Sequence, residues 1–393
     1  MREIVITGAA RTPIGKFGGM LADTCAVELG SIVIKEVLLR SKIASTQVDE
    51  VLMGCVLQSG LGQNPARQAS IKAGLPISVP ALTVNNVCGS ALKCVAMAYG
   101  LILSGEADVI VAGGMENMSM APYILPSARF GYRMNDGAVV DTMIKDALWD
   151  AFNDYHMGIT AENIAEKYNI TREMQDIFAA ESQQKCERAR KEGAFKEEIV
   201  QVPVKAKNDI LWIAVDENPR DKITAESLSK LNPAFKTDGT VTAGNSSGIN
   251  DGAAAVVLMT KEKAQELGAP ILAVIKGCQS MGVDPSLMGI GPYASTEKLF
   301  KKLGYTVNDM DLIEANEAFA VQSLAVQQLL GWDKNKLNVN GGAIALGHPV
   351  GASGCRILVT LLHALKRRNK NLGLATLCVG GGMGVSIIVE NYC

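Results

Sequence analysis

Apolar residues along this chain gather into two alternating kinds of run. Short runs rich in Val, Ile and Leu, at Glu3–Gly8, Glu50–Cys55, Leu82–Asn85 and Val109–Ala112, read as buried strands. Between them apolar positions recur every three or four residues, as from Ala26 to Leu39, and read as helices that lay one face on a sheet. This alternation predicts parallel βαβ units and an α/β fold.

The chain also echoes itself. Thr83-Val84-Asn85-Asn86, a Gly-containing turn, an apolar helix through Ala91–Leu103 and the run Val109–Met115 find a counterpart late in the chain. It consists of Asn338–Gly342, a Gly-rich turn, a helix through Ile357–Leu365 and the run Val379–Met383. Val48–Val51 is echoed by Met310–Ile313, and the opening strand by Leu272–Lys276. Three matches in one order predict a duplication. From about Ser119 to Gly248 charged helices replace the strand rhythm, such as Thr171–Lys191, capped by Thr171 and stopped by Gly193. Pro203, Pro219 and Pro233 mark loops there. The expected organisation is a first core half of residues 1–118 and 249–270, an inserted loop domain of 119–248, and a second core half of 271–393.

Composition narrows the function. The 393 residues are 48% hydrophobic, enough for a large core, with only 5% aromatic, so Ala, Val, Ile and Leu must build it. With 38 Lys and Arg against 40 Asp and Glu, net charge -2, no basic field exists to hold a polyanion, and no nucleic-acid partner is expected. The apolar runs, such as Val385–Val389, are of strand length, so no membrane association is expected either. Nothing resembling a secretion signal precedes Ile4-Val5-Ile6, so a cytoplasmic location is expected. Nine cysteines, with no CxxC pair and no zinc-type Cys/His spacing, predict neither a disulfide framework nor a metal site.

Four positions invite chemistry. Cys88 lies between a strand and a helix, where free N–H groups and the helix dipole are expected to lower its pKa from ~8.5. A buried structural cysteine is the competing reading. His348, one of only three histidines, sits in the Gly-rich loop Gly347–Gly354, where it either caps and packs or acts. Cys378 ends a buried strand before Gly380-Gly381-Gly382, whose N–H groups suit an oxyanion but also a tight turn. Asn316, after the strand Asp311–Glu314, reads by itself as a helix cap. His363 reads as a surface or packed helix residue, and His156 as preceding a helix over Thr160–Tyr168. Duplication brings equivalent strand ends together, so Cys88, Asn316, His348 and Cys378 are expected to face one pocket as an acyl-transfer set.

These residues resemble the thiolase family and, within it, the acetyl-CoA acetyltransferases. The likeness spans essentially the whole chain through Asn85–Ser90, Asn245–Gly252, Asn316–Ala320, Asn340–Gly354 and Cys378–Gly384. It implies a thiolase fold, a duplicated five-layered αβαβα architecture with an inserted loop domain. It further implies that Cys88 takes the acyl group, His348 activates that thiol and Cys378 moves the substrate α-proton. The N–H groups of Cys88 and Gly380 would hold the tetrahedral oxyanion, and His348 with a water on Asn316 the enolate. The implied reaction condenses two acetyl-CoA to acetoacetyl-CoA and CoA, or runs in reverse, with no cofactor beyond the substrate coenzyme A.

His156 and Met157 resemble the short-chain acyl pocket, Ser247 the residue beside pantetheine and Arg220 one near the adenine, with Ala318 and Phe319 also in contact with substrate. Family members are commonly homotetramers, with contacts expected in the inserted domain. Asn86 replaces a frequent Lys and Ala91 a frequent Gly, which puts the local loop geometry in question. The alternatives are a broader-chain 3-ketoacyl-CoA thiolase, a decarboxylating condensing enzyme, against which Cys378 argues, and a non-catalytic acyl-CoA-binding protein, against which Cys88 and His348 argue.

Overall fold

The structure is a computed structural model that describes residues 2–206 and 209–392. One continuous sheet organises it. From edge to edge its strands are Leu312–Ala315, Leu372–Val379, Met383–Asn391, Ala273–Gly282, Ile4–Arg11, Asn250–Thr260, Val109–Asn117, Glu50–Gly54 and Ala81–Val84. Its centre is the narrow antiparallel pairing of Val5 with Val274 and Ile6 with Ala273. Outward from that seam each half repeats one plan: two antiparallel neighbours, then parallel pairs. The outermost parallel strand Ala81–Val84 is matched in the second half by a single parallel bridge, Ile313 to Leu337.

The echoed Asp residues make the same contacts in each half. Asp49 Oδ2 accepts from the N–H groups of Asp108 and Val109 at 2.8 Å each, and Asp311 Oδ2 from those of Asn371 and Leu372 at 3.0 and 2.9 Å. Each carboxylate pins the first residue of an equivalent strand. The echo of Val109–Met115 in Val379–Met383 is out of place, however. Gly113 and Gly114 lie inside a strand, where a Cβ would collide with the carbonyl oxygens of Ala254 and Gly351 respectively. Gly380–Gly382 instead form the turn between Leu372–Val379 and Met383–Asn391.

Burial explains why these strands read as unbroken apolar runs: both faces are covered. Ile110 and Ala112 face a central cluster with Ala254, Val256 and Leu258, while Val109 and Val111 face outward with Ala253, Ala255 and Val257. The central cluster also holds the helices Ser90–Ser104 and Ser353–Arg368, which pack on each other between the two sheet halves. Ala26–Ser41 and Pro65–Lys72 cover the outer face of the first half, Gly291–Leu303 and Ala320–Leu330 that of the second. The layers are therefore helix, sheet, helix, sheet, helix.

The long excursion leaves the sheet after Asn117 and returns at Asn250, the place where the second half has only Gly380–Gly382. It carries the helices Met157–Tyr168 and Arg172–Lys191, the latter capped by Thr171 Oγ1 from the Met174 N–H. Pro203 is not in a loop but in a two-stranded ribbon, Val202–Ala206 with Asp209–Ile213, opposite Trp212. A two-stranded ribbon has an open edge on each strand, which tolerates a residue without an N–H. The apolar stretches are not all of strand length as expected: Val87–Ser104 is apolar enough by length and composition to cross a membrane. Half of that stretch is buried in the protein, in the central layer, which gives its hydropathy a folding role.

Candidate active site

Cys88 sits on a bend forced by its neighbours. The strand Ala81–Val84 ends, Asn86 donates its N–H to Ser90 Oγ (2.8 Å), and that hydroxyl donates to the Val87 carbonyl (2.6 Å). Val87 is left at φ +46°, a conformation that costs a β-branched residue about 1–3 kcal/mol and clusters at functional sites. Gly89 follows because a Cβ there would meet Val379 Cγ2 at 2.8 Å, so the first half touches the second across this bend. Ala91, one of the departures from the family pattern, is fully buried beside Gly114, and the bend accommodates it.

The Cys88 thiol is not acidified. Burial pushes its pKa up to about 11, against the pull of the Gly380 and Cys88 backbone N–H groups, with Glu116 adding a further rise. The helix N-terminus does not lower it as expected, because the thiol is only 9% exposed and desolvation of a thiolate outweighs two N–H dipoles. Those two N–H groups nevertheless converge on one sulfur from opposite halves of the chain.

His348 is fixed from both sides. Its N–H donates to Asn250 Oδ1 (2.9 Å), and its Nδ1 lies 2.5 Å from Ser353 Oγ. Gly347, at φ +106°, is required here because a Cβ would lie 2.5 Å from Asn250 Cγ. Burial, and then the Arg356 cation, lower the His348 pKa to about 3, so the imidazole is neutral at physiological pH. Asn316 does not cap a helix: Ala320–Leu330 begins four residues later. Its Nδ2 instead stands 3.5 Å from both ring nitrogens of His348, and its buried Oδ1 has no partner among the described residues.

Cys88, His348 and Gly380 line one cavity of about 390 Å³ together with Met157, Ser247, Ala318 and Phe319. Ile144, Leu148, Phe235 and Met288 give it apolar walls, and Arg220, exposed, stands at its rim. Cys378 is not among the lining residues. It is fully buried within a cluster of Met157, Met288, Ala318 and Phe319, and burial followed by the neighbouring Cys88 raises its thiol well above the ordinary range. His156 precedes a helix that starts at Met157, earlier than its spacing suggested. Its Nδ1 caps that helix, accepting from the Gly158 N–H at 3.0 Å, while its ring stacks on Phe235 at 4.7 Å. Ser247 donates its N–H to the Ala318 carbonyl (2.9 Å), tying two of the motifs together. His363 lies apart, in a cleft with Ala9 and Arg40. A larger cavity of about 610 Å³, beside Arg190 and Asp216, holds none of these groups.

Two supporting residues escaped the sequence reading besides Ser353 and Asn250. Buried Glu116 accepts from the N–H groups of Gly351 (2.8 Å), Val56 and Leu57 (3.1 Å each), clamping the His348 loop to the first half. Burial raises its pKa to about 7. Glu317 accepts from Ser182 Oγ, Asn338 Nδ2 and the Ile344 N–H, joining the Asn316 motif to the insertion. A lone carboxylate inside the apolar run Val109–Asn117 was the available signal for Glu116.

Comparison with known proteins identifies the family. Residues 4–262 match the family model for the thiolase N-terminal domain, and residues 269–391 that for the thiolase C-terminal domain. An acetyl-CoA acetyltransferase of Cupriavidus necator is 58% identical over 391 residues, covering 99% of this chain and 100% of the relative. One of Pseudomonas aeruginosa is 58% identical over 389 residues, covering 98% and 99%. The crystal structure of the Bacillus anthracis acetyl-CoA acetyltransferase superposes with a TM-score of 0.98 at 45% identity, covering 100% of this chain and 99% of that one. With both halves of its duplicated core matched along nearly their whole length, the chain belongs to the thiolase family.

Proposed function

We propose that this protein is an acetyl-CoA acetyltransferase that interconverts two acetyl-CoA with acetoacetyl-CoA and CoA through an acyl-enzyme on Cys88. The observation that carries this reading is the convergence of Cys88, a neutral His348 and the Gly380 N–H on one apolar-walled cavity. In the resting site the proton stays on sulfur. It passes to His348 as Cys88 attacks the thioester carbonyl, and the resulting oxyanion is held by the Cys88 and Gly380 N–H groups.

Collapse of that intermediate expels CoA as a thiolate, which takes the Cys378 proton. Cys378 is then a strong base, because burial disfavours its anion. It removes the α-proton of a second acetyl-CoA. The enolate oxygen faces protonated His348 and a water that the unpartnered Asn316 Oδ1 is placed to hold. Attack on the acyl group releases the Cys88 thiolate, which regains its proton from His348, and each group is back in its starting form. His156 and Met157 bound the acyl end, with Ser247 and Arg220 toward the CoA entrance. A homotetramer is part of the proposal. Exposed Tyr123, Leu125, Phe130 and Met134 in the insertion support it, since apolar side chains clustered at a surface mark contact regions. Light scattering on the purified protein measures it.

The test of the reaction is CoA-dependent cleavage of acetoacetyl-CoA by the parent, Cys88→Ala and Cys378→Ala. Cys88→Ala should form no acyl-enzyme. Cys378→Ala should still take an acetyl group from acetyl-CoA but lose exchange of its α-protons. Retained turnover in both variants rejects the assignment.

A further inference from the structure

We propose that the Ser353 hydroxyl is a positioning residue that holds His348 in the tautomer with its proton on Nδ1, leaving Nε2 bare to take the proton of Cys88. This inference rests on the reading of His348 as the base for that thiol.

Ser353 is the first residue of the helix Ser353–Arg368 and is fully buried. A serine at a helix start ordinarily caps it, but the cap position belongs to Ala352, which makes no side-chain bond. The hydroxyl is therefore free for other partners, and it has two: the Pro349 carbonyl at 2.9 Å and His348 Nδ1 at 2.5 Å. A hydroxyl carries one proton. Donated to the carbonyl, it leaves an oxygen lone pair facing Nδ1, which only an Nδ1–H satisfies. That same carbonyl also receives the N–H groups of Ala352 and Ser353, so it marks a fixed point of the first turn.

The Asn316 amide nitrogen is a donor 3.5 Å from both ring nitrogens. Standing equally far from both, it does not choose between them. The question matters because His348 is neutral and carries one N–H: a proton on Nε2 leaves the ring's only lone pair on Nδ1, which already faces Ser353. The backbone is held independently by Asn250 and Gly347, which leaves the choice of tautomer to Ser353.

The chain's three histidines make the tautomer directly measurable by ring ¹⁵N NMR of protein labelled at histidine, with His156→Gln and His363→Gln assigning the His348 signals by elimination. The wild type should show a protonated Nδ1 and an unprotonated Nε2 at His348. Ser353→Ala should shift the ring toward Nε2–H and slow acylation of Cys88 by about 10²-fold, at the lower end of what a positioned base contributes, with KM within about twofold. Ser353→Thr, which keeps the hydroxyl, should recover most of the rate. A wild-type ring protonated on Nε2 overturns the proposal without any variant. So does an unchanged tautomer in Ser353→Ala, whatever its rate. Should that variant not fold, Ser353→Cys, a weaker acceptor, carries the same comparison. Normal acylation in His348→Gln is a different failure: it removes the base reading and leaves the Ser353 contact intact.

Discussion

Shortening Met157 to Ala should lengthen the acyl group that this protein accepts, by a limited amount. Met157 opens the helix Met157–Tyr168, is 7% exposed, and lines the cavity beside Ala318 and Phe319. Its methyl carbon stands 3.6 Å from where a Cβ on Gly380 would be, next to the N–H proposed to bind the thioester oxygen. Met157→Ala removes three heavy atoms from that position, room for about two methylenes. At ~0.8 kcal/mol per buried methylene, a six-carbon 3-ketoacyl-CoA should gain ~1.6 kcal/mol over the four-carbon substrate, roughly fifteenfold in kcat/KM. An eight-carbon substrate needs twice that space and should gain no more than the six-carbon one. The stability loss should fall at or below about 2 kcal/mol, the low end for such truncations, because one face of the side chain borders empty space. Thiolysis rates for the three chain lengths, compared as ratios between variant and parent, measure the effect. Unchanged ratios, or a gain that keeps rising to eight carbons, would show that Met157 does not set the depth of the acyl pocket.

Three further expectations concern charge. Because the Cys88 thiol is raised to about 11 and His348 lowered to about 3, alkylation of the free protein by iodoacetamide should accelerate steadily from pH 6 to pH 10; a plateau already present at pH 6 would mean a resting thiolate–imidazolium pair. Glu116, with a folded pKa of about 7 above its ordinary 4.5, holds a proton that the unfolded chain has lost, so its contribution to stability falls as pH rises through that window. Glu116→Gln should therefore shrink the loss of Tm between pH 5 and pH 8, and an equal or larger loss refutes the assignment. Arg11, fully buried, donates to Glu198 at 2.6 Å and to both oxygens of Asp216 at 2.6 and 2.9 Å. Arg11→Met should cost about 3–5 kcal/mol by urea unfolding at pH 8, and less at pH 5, where the orphaned Glu198, its pKa raised by burial, takes up a proton more readily.

Much of the architecture was legible because it is written in local pattern. Strands buried on both faces read as continuous apolar runs, and Thr171 and Gly193 punctuate their helix as their chemistry dictates. Equivalent Asp49 and Asp311 betrayed the duplication because one carboxylate does the same work in each copy. Helix starts at Met157 and Ser353 were missed by several residues, since a Gly-rich approach hides the first turn. Of the residues expected at one pocket, Cys88, His348 and Gly380 line the cavity and Cys378 and Asn316 do not; the supporting Glu116, Asn250 and Ser353 were not singled out. The first two act across 235 and 98 residues of chain, on Gly351 and His348, and no spacing rule reaches that far. Cys88 was misjudged in its acidity for a related reason: a dipole is visible in local sequence, the dryness around it is not.

The insertion faces only one of the two sheet halves' turns, its counterpart being three glycines. A body with near-twofold symmetry thus acquires a chamber on one side, lined by Cys88, His348 and Gly380 together with residues of the insertion. Under the proposed chemistry, donor and acceptor thioesters must use the same berth in turn, so the first carrier has to depart before the second docks. Double-displacement kinetics would then be a matter of occupancy as much as of chemistry, imposed by a ceiling built over one side of a symmetric frame.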